Sequence, residues 1–298
     1  MKLARFNKAD GAESYGIQID ENQLLDLQAL SQITKQPIPS SLETFILSGE
    51  KEQKSLESLV KEAPDKNKAK ALVPMEKARL LAPIANPPKI MCLGLNYRDH
   101  VAEQNAAIPD DLVLFMKPRT AIVGPDDTII KPSFVNKLDY EAELAIIIGK
   151  KAKSISKEEA NQHIFGYTCF NDISARDIQF KDKQWTRGKG FDTFAPIGPC
   201  ITTTDQIGDP TNLKIQTRVN GTTRQDSTTG NMIFNVYDIV HRLSQVMTLE
   251  PCDIIATGTP SGVGFAMKPE PKFLNIGDTV EIEIQGIGQL RNKIGQQA

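Results

Sequence analysis

The chain has 298 residues, enough for one large domain or two ordinary ones with a full hydrophobic core. Apolar residues make up 40% and charged residues 24%, and 35 Lys+Arg against 37 Asp+Glu leave a formal net charge of −2. This is the composition of a globular protein, and its charge balance gives no global pull toward nucleic acid or an anionic membrane.

No stretch approaches the ~18 consecutive apolar residues of a membrane span. Met1 to Tyr15 lacks the hydrophobic segment of a secretory signal and carries Asp10 and Glu13, so a cytoplasmic protein is expected. The cysteines Cys92, Cys169, Cys200 and Cys252 are widely spaced among small or apolar neighbours. That pattern fits buried reduced thiols rather than a zinc site or a disulfide framework.

In chain order, Lys2–Phe6 and Tyr15–Asp20 read as short strands. A helix follows, opened by a capping box of Ser40 and Glu43, with Leu42, Phe45 and Ile46 as its apolar stripe and Gly49 as its stop. Residues 50–70 are dense in mixed charge and broken by Pro64, which predicts an exposed helix and a linker. Pro83, Pro87 and Pro88 mark extended chain before the apolar strand Lys89–Leu93, so the boundary between a small N-terminal domain (1–75) and a larger one (76–298) falls in this region. Ala145–Ile148 is an unbroken apolar run, expected to be covered on both faces. Ile164–Phe170 reads as a strand behind a short helix opened by Ser156 and Glu159. The periodicity of Val236, Val240, Leu243 and Met247 predicts a helix over Asn235–Met247, and Thr279–Ile284 alternates as a strand.

Four groups of residues have the chemistry of a site. On a continuous strand, Asp139, Glu141 and Glu143 would share one face. Glu281 and Glu283 have the same spacing and read as solvent-facing, so spacing alone does not decide. The buried run after Glu143 favours a site, and Asp172 lies just after a second apolar strand. Converging carboxylates suit a hard divalent cation such as Mg²⁺ or Mn²⁺. His100 and Glu103 are placed to meet across one helical turn, where a carboxylate on one ring nitrogen leaves the other as a base. His163 at a helix end and His241 on a polar helix face have ordinary structural readings. Arg176 and Lys189 near the acids would bind substrate carboxylates or simply balance charge. The Gly-rich stretch Thr257–Gly264 is either a plain turn or an anion cradle. There is no G-x-S-x-G, Walker A, H-E-x-x-H or G-x-G-x-x-G motif in its proper context.

Roughly two-thirds of the chain, from Lys89 on, resembles the fumarylacetoacetate hydrolase family, in its acylpyruvate hydrolase and oxaloacetate decarboxylase-like branch. The matching segments are Gly94-Leu95-Asn96-Tyr97 leading to His100, Leu138–Glu143, Asn171–Asp177, Lys189–Phe194 and Thr257–Pro260, in the family's order. The resemblance implies an α+β, β-rich fold: a mixed β-roll with a small N-terminal α/β domain, usually a homodimer. It implies Glu141, Glu143 and Asp172 as ligands of Mg²⁺ or Mn²⁺, and His100 with Glu103 as a dyad on a lid reaching to Leu112. Lys189 would stand beside a small 2-oxo acid substrate, with Arg98, Arg176, Gln179, Gly258 and Thr259 as substrate contacts.

The activity expected from this is metal-dependent C–C bond hydrolysis of acylpyruvates such as fumarylpyruvate, through an enolate. Oxaloacetate decarboxylation and isomerisation of 2-hydroxyhepta-2,4-diene-1,7-dioate pass through the same intermediate and are the alternatives. A catalytically silent metal-binding homologue is an alternative of another class, and it would show an eroded site, whereas every expected position is filled. No nucleic-acid or membrane partner is expected.

Overall fold

The apolar run after Glu143 becomes the middle of a large sheet. The structure is a computed structural model and describes residues 1–296. Its main sheet is organised around β1 (Lys2–Asn7), β2 (Ile90–Gly94), β3 (Val113–Lys117), β4 (Ala142–Ile148), β5 (Ile164–Asn171), β6 (Ala195–Thr203) and β7 (Ile254–Ala256). In space they run β1-β6-β5-β4-β7-β2-β3, with β7 and β2 parallel and the other neighbours antiparallel. A second sheet is built from Lys214–Val219, Thr222–Thr228, Thr279–Ile284, Gly288–Gln296 and Thr128–Lys131.

Strand β4 is covered on both faces, as its composition demands. Ala145 and Ile147 face one core with Phe45, Leu56 and Leu59 of the N-terminal helices α1 (Leu42–Leu47) and α2 (Glu50–Glu62). Leu144, Ile146 and Ile148 face the other, against the second sheet and the helix Val236–Val246. That helix matches its predicted span to one residue at each end, with Asn235 as its N-cap. The strand predicted at Thr279–Ile284 has those bounds. All four cysteines are buried and free.

Two expectations are corrected. The box that opens α1 is Ser41 with Thr44, one residue later than expected, and both reciprocal bonds form (3.1 and 2.8 Å). Glu43 is thereby released to accept from the Ala85 N–H at 2.9 Å, tying α1 to the segment before β2. The charged stretch after Gly49 is two helices, Glu50–Glu62 and Asp65–Lys70, separated at Pro64.

Residues 1–75 extend the main sheet beyond β1, which pairs antiparallel with β6. Phe45 is fully buried between Tyr15 and Phe165, at ring-centroid distances of 6.3 and 6.1 Å. It joins the N-terminal helices to the sheet that holds the acids. Phe45→Ala is expected to cost about 3–5 kcal/mol of unfolding free energy. Denaturant unfolding followed by tryptophan fluorescence and by circular dichroism should shift together, in one transition.

Candidate metal centre and its dyad

Three carboxylates are brought together by the ends of two paired strands. Ala142 of β4 lies opposite Asn171 of β5, so Glu141 and Asp172 flank the pair at the same end. The Asp172 N–H donates to the Glu141 carbonyl (2.9 Å), and the Glu141 N–H donates to the Asn171 side chain (3.1 Å). Glu143 projects from β4 itself. One oxygen from each of Glu141, Glu143 and Asp172 lies within 4.8 Å of the others, and all three residues are buried.

Asp139 does not join them. It belongs to the two-residue strand Leu138–Asp139, paired with Ser174–Ala175, and the chain leaves strand geometry at Tyr140 and Glu141. The alternation that would have put Asp139 beside Glu141 is broken there. Asp139 instead accepts from Arg176 Nε at 2.9 Å and from the N–H groups of Gly264 (2.7 Å) and Phe265 (3.1 Å).

Buried carboxylates need countercharge, and three bases provide it. Lys189 Nζ bridges Glu141 Oε2 at 2.6 Å and Asp172 Oδ2 at 2.7 Å. Lys117 Nζ lies 2.7 Å from Asp172 Oδ1, and Arg176 Nη2 lies 2.7 Å from Glu141 Oε1; both are ion pairs with poor hydrogen-bond alignment. Asp139, Glu141, Glu143 and Asp172 thus face Lys117, Arg176 and Lys189, leaving one negative charge in excess.

The imbalance falls on Glu143. Burial works against ionisation of Glu141, yet Lys189, Arg176 and His100 hold its carboxyl well below the ordinary range. Burial pushes Glu143 up, and the charges of Asp172 and Glu141 add to the rise against the opposing Lys189 and Gly258 N–H. Glu143 Oε1 is buried with no hydrogen-bond partner among the described residues. An all-oxygen donor set in which Glu143 Oε1 and Asp172 Oδ1 accept no hydrogen bond, with a surplus of negative charge, fits a hard divalent cation.

The Gly-rich loop is a cradle for the protein's own carboxylates. After β7, Thr257 is fixed to the Leu144 carbonyl by its N–H (3.0 Å) and hydroxyl (2.8 Å). The next N–H, of Gly258, donates to Glu143 Oε2 at 2.8 Å. Gly258 has φ +93°, and a Cβ there would lie 2.9 Å from the Asn96 side chain, so both conformation and space require glycine. Further along, the Gly262 N–H donates to Glu103 Oε2 at 2.9 Å and the Gly264 N–H to Asp139. Buried Gln225 braces the loop, donating to Thr259 Oγ1 (2.7 Å) and the Pro260 carbonyl (2.9 Å) while accepting from the Ala142 N–H (3.0 Å).

The dyad forms on α3 (Arg98–Glu103). Asn96 anchors its entry through the carbonyls of Thr257 (2.7 Å) and Phe234 (3.0 Å). His100 Nδ1 and Glu103 Oε1 are 2.6 Å apart. An acceptor on Nδ1 assigns the ring hydrogen there, which leaves Nε2 as the basic nitrogen. His163 and His241 hold backbone carbonyls, of Lys150 at 3.2 Å and Ile155 at 2.7 Å, away from the acids.

A cavity of about 150 Å³ reaches the triad at Glu141. His100, Glu141, Lys189, Arg176, Gln179 and Thr259 supply its polar wall, and Leu93, Trp185, Phe180 and Phe265 its apolar one. Arg176 reaches the cavity with its three guanidinium nitrogens directed at Asp139, Glu141 and Gln179, so it works first as countercharge. Two expected substrate contacts are displaced. Arg98 is exposed and donates to the Met232 carbonyl (2.6 Å), because the helical turn that aims His100 inward turns Arg98 elsewhere. Gly258 lies behind Glu143, outside the cavity lining. Lys117, Gln104 and Gln225 were not among the expected site residues. Lys117 has a signal, a charge closing the apolar strand Val113–Lys117; Gln225 sits in a polar strand and has none.

A buried acidic triad, a His–Glu pair lining the same cavity as Glu141, and a mixed sheet that holds them are the features of an enzyme. The chain belongs to the fumarylacetoacetate hydrolase family: residues 89–295 match the family described as Fumarylacetoacetate (FAA) hydrolase C-terminal. It is 42% identical over 298 residues to oxaloacetate tautomerase fahd2, mitochondrial, of Xenopus laevis, covering 99% of this chain and 90% of that protein. It is also 42% identical to oxaloacetate tautomerase YisK of Bacillus subtilis, covering 94% and 95%. Among solved structures, fumarylacetoacetate hydrolase from the psychrophile Exiguobacterium antarcticum superposes with a TM-score of 0.84 at 38% identity, covering all of both chains. No helix among the described residues is long and apolar enough to cross a membrane.

If the triad is the cation site, Glu143→Gln and Asp172→Asn each weaken Mn²⁺ binding by a factor of about ten or more. Titration calorimetry or Mn²⁺ paramagnetic resonance measures this directly. Equal affinity in wild type and both variants would place the ion elsewhere.

Proposed function

We propose that the protein is a divalent-metal-dependent keto–enol tautomerase of a short 2-oxo dicarboxylic acid, with oxaloacetate as substrate. The observation that carries the reading is His100. It is a buried histidine with its Nδ1 held by Glu103, and it lines the same cavity as Glu141 of the acidic triad. Moving a proton between neighbouring carbon and oxygen asks for one such base. The names of the two relatives that span nearly the whole chain support the choice of substrate. A cavity of about 150 Å³ suits a four-carbon diacid.

A Mg²⁺ or Mn²⁺ ion held by Glu141, Glu143 and Asp172 would supply Lewis-acid stabilisation of charge developing on the 2-oxo oxygen. The remaining work belongs to the chain. His100 Nε2 takes a proton from the substrate carbon beside the 2-oxo group. Glu103 stabilises the resulting imidazolium and is itself fixed by the Gly262 N–H. The same nitrogen returns the proton to oxygen, so one group serves both halves of the exchange. Lys189 and Arg176 keep the cavity attractive to a dianion, and Trp185, Phe180 and Phe265 limit the entry of water. The proposal includes the family's homodimer as the working assembly.

Hydrolysis of acylpyruvates such as fumarylpyruvate is the second reading, favoured by the likeness to the Exiguobacterium hydrolase. It uses the same residues, with His100 taking its proton from water instead of from carbon. Decarboxylation of oxaloacetate needs the enolate but no base.

The test follows the ultraviolet absorbance of enol-oxaloacetate as it decays, with Mg²⁺ or Mn²⁺ present, alongside a panel of acylpyruvates. Wild type should accelerate the enol decay, and His100→Ala should lower kcat/KM by about 10²–10⁴-fold while leaving Mn²⁺ affinity unchanged. Full activity in His100→Ala would remove the base. Acylpyruvate cleavage without enol turnover would replace the tautomerase by the hydrolase.

A further inference from the structure

One contact of His100 has no place in the proton transfer just described. The ring's Nδ1 is committed to Glu103, and its backbone N–H donates to Asp99 Oδ1 at 2.9 Å. The remaining nitrogen, Nε2, lies 2.7 Å from the side-chain amide nitrogen of Gln104, which also lies 3.4 Å from the His100 carbonyl. With the ring hydrogen on Nδ1, the lone pair is on Nε2, and the Gln104 N–H is the donor. Gln104 is half-buried and lines the cavity. Its amide therefore covers the lone pair on which proton transfer depends. A lone pair engaged this way cannot also accept a substrate proton, so one contact must yield to the other.

Resting on the assignment of His100 as the base, we propose that Gln104 is a positioning residue that masks His100 Nε2 in the substrate-free protein and releases it when substrate enters. Masking holds the imidazole in one orientation and tautomer, and it keeps the base from other reactants until the cavity is filled. Its cost is one hydrogen bond that the incoming substrate has to break. Removing the amide leaves Nε2 open and spares the substrate that step.

The chain has three histidines, which makes the base traceable by chemical modification. Mg²⁺-loaded protein without substrate is treated with diethyl pyrocarbonate, and modification of His100 is followed by peptide mass spectrometry, with His163 and His241 as internal references. Gln104→Ala should speed modification of His100 about fivefold, the factor that one net hydrogen bond represents, with no change at the other two. Its KM should fall while kcat changes little. Gln104→Met, which keeps the bulk of the side chain but has no N–H to donate, should speed modification of His100 as Gln104→Ala does. Equal His100 reactivity in wild type and Gln104→Ala would overturn the masking. A rise in KM in Gln104→Ala would overturn it too, by making the amide a substrate contact. The modification rate does not depend on turnover, so the masking can fail while the tautomerase reading stands, and the reverse.

Discussion

Everything in this site follows from the burial of four carboxylates against only three bases. Taking ions out of water costs several kcal/mol each unless partners are close and well placed. Asp139 accepts from Arg176, Glu141 and Asp172 accept from Lys189, and Arg176 and Lys117 add ion pairs to Glu141 and Asp172. Glu143 is left with one backbone N–H and an orphaned oxygen. A divalent cation beside it would turn the excess from negative to positive. The protein's stability and the charge of its cavity thereby draw on the same residues.

The Gly-rich loop after β7 couples the parts of this arrangement. Successive N–H groups of one loop, from Gly258, Gly262 and Gly264, hold Glu143, Glu103 and Asp139. One carboxylate belongs to the triad, one to the dyad and one to the Arg176 pair. A shift of the loop would move all three together, and Gln225 braces it from the second sheet. In the proposed tautomerase this loop would fix the distance between His100 and the triad, as proton transfer at a bound substrate requires.

Most of the scaffold was legible because it is written in local patterns. Unbroken apolar runs marked the strands that carry Glu143 and Asp172, and 3.6-residue periodicity marked Val236–Val246. The His100–Glu103 pair needs only one helical turn, and it formed. The misses share a different cause. Nothing near Asp139 signals that the strand is interrupted before Ala142, since that break is set by Arg176 and by loop residues more than 120 positions away. Ser40 and Ser41 both had a partner three residues on; Ser41 pairs with Thr44, and Glu43 accepts from the distant Ala85 N–H, which local sequence does not show. Lys117 and Gln225 work through distant contacts that no window of sequence contains. The charges of Arg176 and Lys189 near the acids were legible from the residues alone; the resemblance to the family added Gln179, Arg98 and Gly258 as substrate contacts, and the structure gives Arg98 and Gly258 other partners.

The central claim is that the excess buried charge at Glu143 exists to hold a cation. Anomalous diffraction from a crystal soaked in Mn²⁺ tests it most directly. The account predicts one strong peak about 2.1 Å from an oxygen of each of Glu141, Glu143 and Asp172. A strong peak elsewhere, or no peak with Lys189 still bridging Glu141 and Asp172, would contradict it.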